Sequence, residues 1–107
     1  MEESYNYFEN LVSELPEIAP DSIVSRTLYE DEGHKAILFG FAEGQELSEH
    51  TASQTALLYF VQGRAKLTLG EDESQASAGT WVRMAPRLPH SVLAETDLVM
   101  MLILLKQ

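Results

Sequence analysis

Two histidines stand in frames rich in turn residues, Gly44-Gln-Glu-Leu-Ser-Glu-His50 and Gly79-Thr-Trp-Val-Arg-Met-Ala-Pro-Arg-Leu-Pro-His90. An imidazole titrates near neutral pH and, when neutral, offers one donor and one acceptor nitrogen. A pair of them can hold a metal ion, pass a proton, or accept hydrogen bonds from a ligand. The chain has no cysteine, which excludes disulfides, thiolate ligands and a cysteine nucleophile, so any metal must use histidine or oxygen donors. No serine or threonine sits in a recognisable nucleophile motif, and no glycine-rich phosphate loop is present.

These residues need elements that bring them together. Between and around the two frames, the sequence alternates with period two and is rich in β-branched residues, with turn residues between short runs. Strands are predicted over residues 22–29, 35–42, 56–61, 64–69, 80–84, 90–95 and 98–105. Breaks are expected at 30–33, Gly44, Gln62-Gly63, 70–74, Ala78-Gly79, 86–89 and Thr96-Asp97. Seven or more strands at this spacing, with no long helical segment among them, predict an all-β sandwich or barrel. The first twenty residues read as an arm or short helix and residues 21–107 as one barrel domain. Within the arm, Tyr5, Phe8, Leu11, Val12 and Leu15 recur at helical spacing until Pro16 stops the pattern, although an extended arm would pack the same residues.

At 107 residues the chain suits one domain and one pocket. Seventeen acidic residues against seven basic ones give a formal charge of −10, which repels phosphate backbones and anionic membrane surfaces, so no nucleic-acid or membrane partner is expected. The acids are scattered, as on a solvated surface. The N-terminus lacks a basic and then apolar leader pattern, and the longest apolar run, 98–105, is well below the roughly 20 residues of a membrane helix. A cytoplasmic location follows as the expectation.

Residues 56–61 carry Ala56, Leu58 and Phe60 on one face and Leu57, Tyr59 and Val61 on the other. A strand apolar on both faces needs cover on both, and 98–105 makes the same demand, so a homodimer is expected. Around the histidines, Phe60, Trp81 and Met84 are candidates to line an apolar pocket, and Arg83 to attract a carboxylate ligand. Tyr59 can face either the pocket or a subunit interface. Arg87 and His34 read more simply as solvated surface residues.

The two frames resemble the two motifs of the cupin superfamily, small antiparallel jelly-roll barrels, and in particular its single-domain cupin type 2 conserved-barrel, or RmlC-like, group. Gly44, His50 and Gly63 fall in register with the first motif, and Gly79 and His90 with the second. The resemblance spans roughly residues 37–105 and implies a cupin-type jelly roll. It also implies a pocket at His50 and His90, where typical members hold iron, manganese, nickel or zinc with three histidines and a glutamate. Here the second histidine position is Ala52 and the glutamate position Ala56. In the second motif Ala85 replaces a proline, Arg87 a glycine and Ala94 an asparagine. The expectation is a barrel that binds a small molecule near His50 and His90, with no metal or a weakly held divalent one, and no identifiable catalytic residue. The alternatives are a metal-dependent dioxygenase or isomerase with an atypical third ligand, for which Gln54 is a candidate and Glu46 or Glu49 could approach from the preceding turn, and a partner-binding module.

Overall fold

The computed structural model describes residues 4–106; the first three residues of the expected arm and Gln107 at the end of the expected barrel lie outside them. Among the described residues, nine strands form two antiparallel sheets. The strands are β1 (Ile23–Glu30), β2 (His34–Phe41), β3 (Glu46–His50), β4 (Thr55–Gln62), β5 (Arg64–Leu69), β6 (Asp72–Ser77), β7 (Trp81–Met84), β8 (His90–Ala94) and β9 (Leu98–Leu105). One sheet runs β1-β2-β9-β4-β7 and the other β3-β8-β5-β6. The inner rows of both enclose a core containing Phe41, Leu58, Phe60, Leu67, Met84, Val92, Leu98 and Met100.

Seven strands fall where the alternation predicts them. β3 and β6 do not, and residues 72–74, read as part of a break, belong to β6. Both strands are polar and mostly exposed: within β6 only Ala76 is buried. They are held by backbone pairing, β3 to β8 and β6 to β5, more than by any apolar stripe of their own.

Among its described residues, the N-terminal segment contains a single 3-10 turn, Leu11–Glu14, capped by the Asn10 side chain, which accepts a hydrogen bond from the Val12 N–H. One turn cannot pay the nucleation cost of a helix, and tertiary contact decides the conformation instead. The segment lies as an arm on the outer face of the five-stranded sheet. There Leu15 and Ile18 press on Gly40 so closely that a Cβ at that position would overlap both side chains. Leu38 and Val99, which belong to this outer face, are buried. Arg26 of β1 ties the arm down through Glu14, donating to its carboxylate at 2.6 Å and its carbonyl at 3.2 Å.

The β4–β5 connection is very tight. Gly63 there takes φ +91°, and any side chain would also run into the Asp97 carbonyl oxygen. Among the described residues, no helix is long and apolar enough to cross a membrane.

Candidate functional site

The two histidines meet at one end of the barrel. β3 ends at His50, β8 begins at His90, and the two residues are paired across the ladder. Simple alternation would not achieve this. Leu47 packs against the core, and His50 lies an odd number of residues later, so a regular strand would point them to opposite faces. The ladder shifts between these positions: three steps on β3, from Leu47 to His50, oppose two on β8, from Val92 to His90. This bulge at Ser48-Glu49 turns both Leu47 and His50 inward. On β8, His90 shares the inner row with Val92 and Ala94, and it pairs on its other side with Leu69.

The rings lie edge to face, with centroids 4.0 Å apart and planes at 61°. Each is oriented in the same way by its own backbone. His50 Nδ1 lies 2.8 Å from the Ser48 carbonyl, and His90 Nδ1 lies 2.9 Å from the Leu88 carbonyl. A carbonyl can only accept, so each Nδ1 must carry the proton. In the neutral ring the lone pair is then at Nε2, which leaves two acceptor nitrogens for a third party. His90 is only 4 % exposed, whereas His50 is half-buried at the mouth. Burial pushes the His90 pKa below the usual histidine value; the hydrogen bond to Leu88 opposes this and repulsion from His50 adds to it. The pair thus disfavours double protonation.

The loops beside the pair are joined by backbone. Arg87 N–H donates to the Ala52 carbonyl at 2.7 Å, fastening the 51–54 loop to the 85–89 loop. To make this contact Arg87 takes φ +68°, the left-handed region that favours glycine. Its side chain is exposed. The site contribution of this residue is therefore a main-chain conformation, and the signal for it was the arginine standing where the resembling motif has glycine. The orienting carbonyls of Ser48 and Leu88 had no side-chain signal at all.

The remaining sequence candidates separate cleanly. Ala56 pairs with Met84 and Leu58 with Val82, so Met84 is in the inner row of β7 at the same barrel end as the histidines. Phe60 is buried in the inner row of β4, four residues farther along and about 13 Å from Ala56. Trp81 and Arg83 have the opposite parity to Met84. They lie on the outer face of the sheet, paired with Tyr59 and Leu57, and are exposed. Gln54 is half-buried in the loop between β3 and β4. His34 lies at the β1–β2 turn, where its N–H donates to Asp31 Oδ1 at 2.9 Å.

A resident metal of the kind the resemblance implies does not fit these residues. Ala56 stands buried in the inner row with no donor atom, and Ala52 offers only a carbonyl already used by Arg87. Among the described residues, no three histidine, cysteine, aspartate or glutamate side chains come together as a ligand set. Ring spacing agrees with this. Two imidazoles bound to one ion through Nε2 at about 2.1 Å would have centroids roughly 4.6–5.3 Å apart for bond angles between square and tetrahedral. The observed 4.0 Å brings the rings into contact with each other.

The comparisons with known proteins agree with this architecture. Among solved structures, a conserved protein of unknown function from Streptococcus pyogenes superposes with a TM-score of 0.83 at 24 % identity, over 100 % of this chain and 91 % of its own. A cupin superfamily protein from Desulfitobacterium hafniense gives 0.81 at 21 %, over 86 % and 84 %. An RmlC-like cupin from Shewanella frigidimarina gives 0.80 at 17 %, over 99 % and 93 %. At these identities the likeness establishes the fold. No curated sequence matches the chain. The sequence profile described as Cupin domain matches residues 37–105, which span both histidine frames and most of the barrel. The chain is a member of the cupin family.

Proposed function

We propose that this cupin binds a small organic molecule at the barrel end occupied by His50 and His90, through hydrogen bonds to two imidazole acceptors and without a tightly held metal. The observation that carries this reading is the shared Nδ1-to-carbonyl geometry, which leaves both Nε2 atoms as acceptors. The surroundings are apolar: Leu69 beside His90, with Ala56 and Met84 in the inner rows at the same end. Apolar walls with a few directed polar groups suit a compact molecule bearing a hydroxyl or a weakly acidic proton. The low proton affinity of His90 favours its neutral, accepting form at neutral pH.

A metal-dependent dioxygenase or isomerase is not favoured. It needs donors beyond the two histidines, and Gln54 would have to supply a neutral oxygen where two alanines now stand. A divalent ion held by two imidazoles and one amide would be weak, since selectivity among first-row metals depends on ligand number and geometry. A cytoplasmic setting is part of the same proposal and is compatible with a chain that has no cysteine.

The test is a matched set of ring compounds, phenol, cyclohexanol and toluene, titrated while the imidazole NMR resonances are followed. The two hydroxylated compounds should shift both histidines saturably, toluene should not, and His90→Phe should abolish the response. Equal shifts with toluene, or a response that survives His90→Phe, would overturn the reading.

A further inference from the structure

The arm crosses the outer face of the five-stranded sheet without sealing it. Toward the β1–β2 turn a cleft of about 420 Å³ remains, with Phe8 and Leu11 of the arm as one wall and Leu28, Ala36 and Met101 of the sheet as its floor. Small-molecule sites commonly enclose about 300–1,000 Å³, so the cleft is large enough for one. A bulge shapes it. Between Thr27 and Tyr29, two steps on β1 oppose a single step on β2, from Ile37 to Ala36. A regular strand would send Leu28 and Tyr29 to opposite faces, whereas here both line the cleft.

The end of the cleft nearest the turn is polar, and its charge has one sign. Asp31 Oδ1 accepts from the Gly33 and His34 N–H groups at 2.7 and 2.9 Å, and Oδ2 accepts from the Tyr29 hydroxyl at 3.1 Å. A carboxylate oxygen can accept two hydrogen bonds, so Oδ2 keeps one acceptor position on a side chain that is 38 % exposed. The N–H groups of His34 and Gly33 hold the Asp31 carboxyl below the usual carboxylate range, and it is anionic at neutral pH. The rings of Tyr29 and His34 stand beside it with centroids 5.4 Å apart, and His34 Nδ1 lies 3.5 Å from Asp31 Oδ1. Among the described residues, no lysine or arginine lines the cleft. Arg26 is engaged by Glu14 at 2.6 Å and Lys106 by Glu30 at 2.7 Å, while Lys35 has the opposite parity to His34 and Ala36 on β2. We propose that this cleft is a second small-molecule site, separate from the histidine pair, which takes an organic ammonium ion with an apolar body. The body lies on Leu28, Ala36 and Met101, and the ammonium donates to Asp31 Oδ2 beside the Tyr29 ring, a charge-assisted hydrogen bond with a cation–π contact. The net charge of −10 draws cations toward the surface and repels carboxylates, which selects the same class of ligand.

Three compounds with one body and different heads decide the matter: phenylbutylamine, phenylbutanol and phenylbutanoate, titrated against the full chain at neutral pH. Binding is read from the Met101 and Ala36 methyl resonances, so that occupancy beside His50 and His90 is seen separately. The amine should shift both methyls saturably and bind at least about tenfold more tightly than the alcohol, with the carboxylate weakest. Asp31→Asn, whose amide oxygen can still accept the two N–H groups of the turn, should bring the amine down to the level of the alcohol. Glu73→Gln removes the same charge from an exposed position on the other sheet and should leave amine binding within about twofold of wild type. Ala36→Leu fills the floor and should weaken amine and alcohol alike, with an unchanged circular dichroism spectrum showing that the fold is kept. The inference is overturned by equal binding of amine and alcohol, by equal effects of Asp31→Asn and Glu73→Gln, by a folded Ala36→Leu that binds as wild type does, or by a titration with the amine that leaves the Met101 and Ala36 methyls unmoved.

Discussion

In the five-stranded sheet, β4 and β9 are apolar on both faces, and the four-stranded sheet, whose outward side chains include Lys66, Glu73, Gln75 and Ser77, carries both histidines. In β4, Ala56, Leu58 and Phe60 fill the core while Leu57 and Tyr59 form part of the outer face; in β6 one residue of six is buried. Stability and chemistry are therefore divided between the sheets. The first supplies most of the apolar rows and an arm-covered back, and the second supplies a bulge, two carbonyl-fixed imidazoles and a polar exterior. A pocket residue on the second sheet can change without dismantling the burial that holds the barrel together.

That division can be broken by mutation. Phe60→Ala should have the largest effect, a loss of about 3–5 kcal/mol, and Leu67→Ala on the facing sheet a smaller one within the roughly 2–5 kcal/mol range of such truncations. Denaturant unfolding measures both, and a larger loss for Leu67→Ala would contradict the division. Gly63→Ala should follow at roughly 1–3 kcal/mol, because it adds left-handed strain and a clash with the Asp97 carbonyl. A stability equal to wild type would show that the β4–β5 turn is not the constraint described.

Smaller effects test the site itself. Arg87→Gly should stabilise the protein by about 1 kcal/mol, since glycine takes φ +68° without a Cβ penalty while the N–H to Ala52 remains. A destabilised variant would mean that the arginine side chain matters more than its backbone. His90 binds a proton less readily folded than unfolded, so its contribution is present above the ordinary histidine pKa of about 6.5 and is lost as the pH falls below that value toward the lower folded one. The unfolding midpoint of wild type should fall between pH 7.5 and 5 more than that of His90→Gln. Parallel pH profiles would remove His90 as the buried titrating group.

The sequence made the barrel legible where alternation was strong and illegible where it was weak. β4 and β9 declare themselves through their apolar content. β3 and β6 do not, because a strand that shows most of its side chains to water looks like a loop until a partner pairs with it. At the site, residue type identified His50 and His90, but the bulge that turns His50 inward carries no glycine or proline to announce it. Trp81, Arg83 and Met84 could not all face one pocket, and their parity already said so: Met84 points in with Val82, and the other two point out. The helical spacing of Tyr5 to Leu15 proved to be the spacing of an arm laid across a sheet, where tertiary contact outweighs local propensity.

The central claim is that two imidazoles remain without the donors needed for a resident metal. Elemental analysis of protein purified without chelator and without a nickel affinity step tests it most directly, with His50→Ala and His90→Ala measured beside the wild type. The account predicts iron, manganese, nickel and zinc far below one ion per chain in all three proteins. Near-stoichiometric metal in the wild type that disappears in both variants would contradict it.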